Sequence, residues 1–262
     1  MSGNDGKGMV LQERDRRLLI ELGLMRVIDR EQAKRVAPFG SVTRANARLL
    51  RLTRAGLLRR FFLGTASGGK KALYTLSPSG ARLAGAASCG PRRGRDELVV
   101  ADFFVAHQSL VNDLYCGFKF GTVYPDGVRF RRWLTFASPL DLAAPLVPDG
   151  YIECERPAAT FAAFIEVDLG HERLAVWRAK VRNYLNYAAS GRYEERFGAK
   201  RFLVLAVADS RGRMESLRNT TAGLTEKIFR FSTFAAIRRD GLWAPIWRKP
   251  QGSDPVPLLG TP

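Results

Sequence analysis

Residues 148–168 read PDGYIECERPAATFAAFIEVD, and this stretch decides the fold of the C-terminal part of the chain. It holds two β-like segments, PDGYIECE and, after Pro157, TFAAFIEVDL. Residues two apart on a strand point to the same face of the sheet, so Glu166 and Asp168 share one face of the second segment. Asp149 begins the first segment. If the two strands are neighbours, three carboxylates converge at one end of a sheet.

Carboxylates brought together in this way supply the hard oxygen ligands that Mg²⁺ and Mn²⁺ prefer. A metal ion held by Asp149, Glu166 and Asp168 would stabilise charge on a phosphate and activate water, or another nucleophile, for phosphodiester cleavage. The competing interpretation makes Asp149 a turn residue and pairs Glu166 and Asp168 with arginines, which are abundant. The spacing alone does not decide between a metal site and a set of ion pairs.

The segments around this stretch predict a mixed α/β domain over residues 98–250, built on a central sheet. Upstream lie a largely apolar helix, ELVVADFFVAHQSLVNDLYCGF, and a β-like region, TVYPDGVRFRRWLTF. Downstream lie an amphipathic helix (HERLAVWRAKVRNYLNYAAS), a buried strand (RFLVLAVAD), a helix (RGRMESLRNTTAGL) and the last elements, FSTFAAI and APIWR.

One face of the amphipathic helix combines aromatic and basic residues at helical spacing: Arg173, Trp177, Lys180, Tyr184 and Tyr187. Such a face can line a single-stranded DNA path, with bases stacked on the aromatic rings and phosphates held by the cations. The alternative places Trp177 and one of the tyrosines in the core. Tyr184 or Tyr187 as a covalent nucleophile is a further, minority hypothesis.

Residues 11–88 predict a winged helix-turn-helix DNA-binding domain. A first helix starts near Glu13, Asp29 caps a second that Pro38 stops, and Ser41 caps a third that ends at Gly56. LLRRFFL, a glycine-rich turn and KALYTL then form a predicted hairpin, followed by a short helix that opens at Ser77 and Pro78.

The third helix of this domain occupies the recognition position of a winged module. Three of its arginines share one face, and we expect that face to point to solvent or a DNA groove: Arg44, Arg48 and Arg51. Lys70 and Lys71 in the wing are placed to contact phosphates or a minor groove. The alternative for the arginines is an ordinary solvated helix face.

Charge and composition agree with a protein that binds a polyanion. The 262 residues include 42 Lys and Arg against 25 Asp and Glu, a net charge of +17, and residues 1–100 hold 20 of the cations but only 8 of the acids. The hydrophobic fraction, 46%, is too high for a disordered chain. The longest apolar run, Phe202–Ala208, is far shorter than the roughly 20 residues that span a bilayer.

Three separated cysteines and two histidines predict neither a disulfide framework nor a zinc site, and they favour a reducing, cytoplasmic compartment. The N-terminus has no apolar signal segment. Residues 1–10 and 251–262 are predicted as flexible tails and residues 89–97 as a linker.

The pattern Pro148, Asp149 and Glu166 resembles the PD-(D/E)xK core of restriction endonucleases, in which a proline-aspartate pair precedes an acidic residue and a lysine on a strand. Asp168 stands where that pattern has its lysine, and this departure puts ordinary double-strand hydrolysis in doubt. Lys180, on the next helix, is a candidate for a migrated lysine, or alternatively a phosphate anchor.

From about Glu13 to Trp247 the chain also resembles the replication-relaxation family of bacterial plasmid and mobile-element proteins. An ordered series of short motifs carries this resemblance: Arg14–Asp15, Arg51-Leu52-x-x-x-Gly56-Leu57-Leu58, Tyr74-x-Leu76-x-x-x-Gly80, His107, Asn112–Asp113, Pro148–Asp149, Glu166-x-Asp168-x-Gly170 and Lys180-x-x-x-Tyr184-x-x-Tyr187. The resemblance implies DNA binding in replication or conjugative mobilisation. The chain is similar to mobilisation relaxases that are built on a restriction-endonuclease core and that nick one DNA strand with acidic residues and a divalent metal.

The sequence therefore predicts an α+β protein with an N-terminal winged helix-turn-helix and a restriction-endonuclease-like domain. We expect it to nick plasmid or mobile-element DNA, double-stranded and in part single-stranded, with Mg²⁺ or Mn²⁺, using Asp149, Glu166, Asp168, Lys180 and Tyr184. The alternative is a non-catalytic replication or transcription regulator with a degenerate nuclease core. A homodimer and an association with replication or conjugation machinery stay open.

Overall fold

A computed structural model describes residues 9–64, 68–86, 98–141, 145–156 and 159–259, with residues 98–102 described by their backbone alone. The described residues divide into two compact units, residues 1–116 and residues 117–262. The predicted linker, residues 89–97, lies outside the described residues, as does most of the predicted N-terminal tail. The α+β class expected from the sequence is confirmed. No helix in the described parts of the chain has the length and hydropathy to cross a membrane.

The first unit holds helices and a small antiparallel sheet in strand order β1-β3-β2. Its elements are α1 (Glu13–Met25), β1 (Ile28–Asp29), α2 (Arg30–Val36), α3 (Val42–Arg54), β2 (Leu58–Gly64), β3 (Lys70–Leu76), α4 (Pro78–Ala84) and the greater part of α5 (Leu98–Phe120). Helix–helix–helix–hairpin is the element order that the sequence predicts. The two-residue strand β1, which pairs with β3, is an addition that is too short to leave a periodic pattern.

Local capping sets the helix starts in this unit. The Asp29 carboxylate accepts a hydrogen bond from the Gln32 backbone N–H at 2.7 Å, and the Gln32 side chain accepts one from the Asp29 N–H at 3.2 Å. Ser41 caps α3 and Ser77 caps α4, whose first position is Pro78. Gly80 is required by packing, because a Cβ at this position would lie 2.1 Å from the Leu57 carbonyl oxygen.

Helix α5 differs from the predicted domain organisation, which assigns all of residues 98–250 to the second domain. Its residues up to Cys116 group with the first unit. Buried Asn112 donates hydrogen bonds to the carbonyl oxygens of Met25 and Val27 at 3.0 and 2.6 Å. Gln32 donates to the Asp113 carboxylate at 2.9 Å. The Asn112–Asp113 motif therefore attaches α5 to the helices of the first unit.

The second unit is built on a five-stranded sheet in the order β4-β5-β6-β7-β8, antiparallel from β4 to β6 and parallel from β6 to β8. Its elements after α5 are β4 (Arg129–Leu134), β5 (Gly150–Arg156), β6 (Ala159–Asp168), α6 (Leu174–Ala189), α7 (Arg192–Phe197), β7 (Leu203–Ala208), α8 (Arg211–Ala222), β8 (Phe229–Thr233) and α9 (Phe234–Asp240). FSTFAAI is split between β8 and α9, because the Thr233 side chain caps the helix at the Ala236 N–H.

An aromatic core fills one face of this sheet. The Phe164 ring lies at its centre, 5.0 Å from the Tyr151 ring and 5.6 Å from the Tyr184 ring between centroids. Gly150 of β5 lets the Trp133 ring of β4 pack against the β5 backbone, because a Cβ at position 150 would lie 2.4 Å from that ring. This core fixes α6 and α8 against the face of β6 that carries Glu166.

The C-terminal segment differs from the predicted flexible tail as far as residue 259. Val256 forms a β-bridge with Trp247, with mutual backbone hydrogen bonds of 2.7 and 3.1 Å. Leu258 is buried. This segment therefore packs on the second unit, since its backbone is bonded to that of Trp247 and Leu258 is buried.

Candidate functional site

The candidate site lies at the carboxyl end of β6, where β5 begins beside it. The register pairs Gly150 with Ile165, so Asp149 lies opposite Glu166 on the neighbouring strand. The Asp149 N–H donates to the Ile165 carbonyl oxygen at 3.1 Å, and its carboxylate accepts from the Val167 N–H at 2.7 Å. The two strands are neighbours, which is the condition for the carboxylates to converge, and the pairing places two of the three carboxylates side by side.

The Glu166 carboxylate is buried and bonded through both oxygens to helix α6. Lys180 donates to Oε2 at 3.0 Å, and the Tyr184 hydroxyl, one helical turn further on, donates to Oε1 at 2.6 Å. Glu166 is only 2% exposed. Glu166 and the residues around it form one cluster of acidic side chains and one lysine. We call it the Lys180 cluster, and its members are Asp149, Glu166, Glu172, Lys180 and Tyr184.

Lys180 joins two carboxylates in this cluster. Its ammonium lies 3.0 Å from Glu166 and 3.0 Å from Glu172, in the loop before α6. Its side chain keeps 31% of its surface exposed, so solvent reaches the lysine although the carboxylate of Glu166 is enclosed. Within the cluster, solvent therefore reaches Lys180, whereas the Glu166 carboxylate is buried.

Burial and charge shift the pKa values of Glu166, Lys180 and Tyr184 from their ordinary values. Burial raises the pKa of Glu166 above its ordinary value, against the opposing attraction of Lys180. For Lys180, burial acts to lower the pKa, but the carboxylates of Glu166, Glu172 and Asp149 outweigh it and the pKa is raised. Burial, followed by the charge of Glu166, raises the pKa of the Tyr184 phenol well above its ordinary range. Strongly perturbed groups that share one accessible corner are typical of functional sites.

Asp168 is held apart from this cluster. Arg213 of α8 donates to both of its carboxylate oxygens at 2.8 Å, and the Gly170 N–H donates to it at 2.6 Å. Across residues 9–64, 68–86, 98–141, 145–156 and 159–259, no group of three or more His, Cys, Asp and Glu side chains is arranged to hold a metal ion. The structure therefore does not bring Asp168 into one site with Asp149 and Glu166, and for Asp168 the ion-pair alternative is correct.

The proposed single-stranded path along α6 is wrong for its aromatic residues. Trp177, Tyr184 and Tyr187 are all buried in the core. The Trp177 indole donates to Thr221 at 2.9 Å. Tyr184 is fully enclosed and donates to Glu166, so as it stands it positions that carboxylate and has no surface from which to attack a phosphate. Arg173, at the start of the helix, is exposed as expected.

The DNA-facing residues predicted in the first unit divide in two. Arg44, Arg51 and Lys70 are exposed, and Lys71 is exposed while pairing with Asp29. Arg48 is 6% exposed and is bonded to the buried Asp15 carboxylate and the Val10 carbonyl oxygen. The prediction that Arg48 faces solvent or a DNA groove is therefore wrong, because this arginine fastens α3 to α1.

Two residues that bond to the predicted site residues, Glu172 and Arg213, were not predicted from the sequence. Glu172 lacks any local pattern that marks it as a partner of Lys180. The position of Arg213 does give a signal for its pairing with Asp168: it follows a buried strand that lies parallel to β6, and the first turn of the helix after such a strand lies beside the end of its neighbour.

A sequence profile described as replication-relaxation matches residues 19–201. The chain belongs to the replication-relaxation family. This confirms the resemblance found in the sequence, and the matched range includes the Lys180 cluster. Membership indicates a role in the replication or relaxation of plasmid or mobile-element DNA, and interaction with DNA. Comparisons with curated proteins and with solved structures give no match.

Proposed function

We propose that this replication-relaxation protein is a metal-dependent DNA nickase whose reacting site is the Lys180 cluster. The single observation that carries the proposal is the junction of three elements at that point. Asp149 precedes β5, Glu166 lies opposite it near the carboxyl end of β6, and Lys180 of α6 donates to Glu166 at 3.0 Å. Two acids and a lysine are the groups of a PD-(D/E)xK site, with the lysine supplied by the helix in place of the strand.

Charge and element order in the first unit support a docking role for it. Three helices followed by a hairpin is the element order expected of a winged helix-turn-helix, and in such a module α3 would occupy the recognition position. Its exposed cations, Arg44 and Arg51, together with Lys70 in the wing, are available to phosphates. Arg48 is excluded from this surface by its ion pair with Asp15.

The donor set at the second unit fits a divalent cation of the Mg²⁺ kind. Mg²⁺ is commonly bound through one or two carboxylates together with water and substrate phosphate oxygens, and Asp149 and Glu166 provide two adjacent carboxylates. Such an ion, if held by Asp149 and Glu166, would supply positive charge to the phosphate and would activate the attacking group. Asp168 has no part in this set because Arg213 occupies it.

The protein's own side chains have separate roles in the proposed reaction. Lys180, solvent-accessible and positively charged, stabilises negative charge that develops on the scissile phosphate. Glu172 holds the ammonium on its second side, and Tyr184 fixes the orientation of the Glu166 carboxylate. Arg173, exposed at the start of α6, lies where it can contact a flanking phosphate.

The test is conversion of a supercoiled cognate plasmid to open circles in the presence of Mg²⁺ or Mn²⁺. Wild-type protein and the Asp168→Asn variant are expected to nick, whereas Asp149→Asn and Glu166→Gln are expected to leave the plasmid supercoiled. Absence of nicking by every protein, or equal nicking by all four, overturns the proposal.

A non-catalytic DNA-binding regulator is the second candidate, and one observation favours it. Both oxygens of Glu166 are already bonded within the protein, and Asp168 is bonded to Arg213, as in a nuclease core that has become a scaffold. This function predicts DNA binding that is unaffected by Asp149→Asn, with no nicking by the wild type.

A further inference from the structure

A cavity of about 450 Å³ lies in the second unit at the carboxyl ends of β7 and β8. Its lining includes the residues that directly follow β7, Asp209 to Arg211, and the last residues of β8, Ser232 and Thr233. Its volume is within the range of pockets that hold small ligands. The cavity lies outside the Lys180 cluster, and the proposed function does not use it.

Three arginines line this cavity: Arg211, Arg239 and Arg248. Arg211 is exposed, and its side chain makes no hydrogen bond or ion pair with the part of the chain that the structure describes. Arg239 is bonded to its neighbour Asp240 at the surface, and Arg248 donates to the Ser253 carbonyl oxygen at 2.5 Å. Arg248 also lies 4.0 Å from the Glu215 carboxylate, so among the described residues Arg211 is the lining arginine without a carboxylate partner and is the cation available to an anion. Arginine offers several N–H donors in a planar fork, which matches the oxygens of a phosphate.

The cavity and the Lys180 cluster share one edge of the sheet. Strands β6 and β7 are parallel, with Asp168 opposite Ala208. The next residue, Asp209, donates its backbone N–H to the Asp168 carbonyl oxygen at 3.1 Å. Neighbouring strands lie about 4.8 Å apart, so the end of β8 is roughly 10 Å from the end of β6. A short run of nucleotides covers that distance.

We propose that this cavity binds a backbone phosphate of the DNA strand that flanks the phosphodiester at the Lys180 cluster. Arg211 is the principal contact because its side chain, unlike those of Arg239 and Arg248, is not bonded to any described residue. The strand runs along the carboxyl edge of β6, β7 and β8, and the cavity fixes its course on the side of β8. This inference rests on the proposed function for the identity of the strand.

The experiment measures binding of a fluorescent thymidine tetranucleotide to the full-length protein by anisotropy, in EDTA so that nicking and metal binding play no part. Arg211→Ala is compared with Arg201→Ala. Both arginines are exposed, and they flank opposite ends of β7, so they form a matched pair. Arg211→Ala is expected to weaken binding about 3- to 10-fold and to make the salt dependence shallower by roughly 0.7 in the log–log slope. Arg201→Ala is expected to change the affinity less than about twofold.

Two further probes, inorganic phosphate and thymidine monophosphate, identify the source of the bound group. If the tetranucleotide is insensitive to Arg211→Ala while either small probe depends on Arg211, the cavity takes a free phosphate or nucleotide and the inference is overturned. Equal effects of Arg211→Ala and Arg201→Ala overturn it as well. Failure of this inference can be told apart from failure of the proposed nickase. Asp149→Asn is expected to lose nicking while it binds the tetranucleotide normally, because Asp149 does not line the cavity.

Discussion

Each unit of the protein contains a helical cation bonded to a buried carboxylate, and the two pairs differ in what surrounds them. In the first unit, Arg48 of α3 is bonded to Asp15 of α1, which is 0% exposed. In the second unit, Lys180 of α6 is bonded to Glu166 of β6, which is 2% exposed. From the sequence, both cations were predicted to contact DNA or its reacting phosphate.

Access separates the two pairs. The side chain of Arg48 is 7% exposed, and its bonds go to Asp15 and the Val10 carbonyl oxygen. The side chain of Lys180 is 31% exposed, is shared between Glu166 and Glu172, and lies at an open sheet end beside Asp149. A buried partner alone therefore does not identify a functional cation. The buried pair of Arg48 and Asp15, the enclosed pair, fastens two helices. The solvent-accessible pair of Lys180 and Glu166, the open pair, has a second acid beside it and can bind a ligand.

The largest effect is expected from opening the enclosed pair. Arg48→Met leaves the Asp15 carboxylate buried without its partner, and breaking a buried ion pair in this way costs about 3–5 kcal/mol. Urea unfolding of the full-length protein is expected to show this loss. A loss below about 1 kcal/mol, the value typical of a surface pair, would contradict the structural role of Arg48.

The second largest effect is expected at the open pair, and on activity. Lys180→Met is expected to reduce plasmid nicking about 10²- to 10³-fold, because a positioned charge at the developing phosphate charge is lost. Its effect on stability is expected to be smaller than that of Arg48→Met, since Tyr184 still donates to Glu166 and the raised pKa of that carboxyl favours its protonation. Equal nicking by Lys180→Met and wild type would remove Lys180 from the reaction.

A smaller effect is expected from the exposed arginines of α3. Arg44→Ala and Arg51→Ala are each expected to weaken duplex DNA binding about fivefold, and each to reduce the salt slope by roughly one. Fluorescence anisotropy at several salt concentrations measures both quantities, with Arg201→Ala as the control. Wild-type affinity in both variants would show that this surface of α3 does not dock on DNA.

The smallest expected difference is in the pH dependence of stability, and its sign is opposite in the two pairs. Burial acts to raise the pKa of Asp15, but the hydrogen bonds from Arg48 and the Gln12 N–H outweigh it, and the pKa is held below the ordinary value. Its contribution to stability is therefore complete above about pH 4, the unfolded value, and is lost as the pH falls through the lower folded value.

For Glu166, the pKa is raised by burial, so its contribution is present below about pH 4 and is lost as the pH rises through the folded value. Urea midpoints measured from pH 3 to pH 8 test both signs. Asp15→Asn is expected to flatten the acid side of the profile, and Glu166→Gln the neutral side. A change on the same side in both variants would contradict the contrast between the two pairs.

Local signals in the sequence were enough to predict many elements. Asp29, Ser41 and Ser77 mark the starts of α2, α3 and α4, because each caps its own helix through contacts three residues away. The side-chain alternation on β6 likewise placed Glu166 and Asp168 on one face, and the register adds Asp149 beside Glu166.

Partners distant in sequence were not predictable in the same way. Asp15 is 33 residues from Arg48, and Asp168 is 45 residues from Arg213. Each pair forms only after two elements pack, so helical periodicity shows that Arg48 shares a face with Arg44 and not which element covers it. The attachment of α5 to the first unit depends in the same way on Asn112 meeting backbone carbonyls of Met25 and Val27.

Calorimetric titration of Mn²⁺ into the full-length protein tests whether the pair of Lys180 and Glu166 belongs to a metal-dependent site. One Mn²⁺ is expected to bind to the wild type and to Asp168→Asn, and Asp149→Asn is expected to lose at least about 10-fold in affinity. Absence of binding by the wild type, or equal affinity in all three proteins, would contradict that assignment.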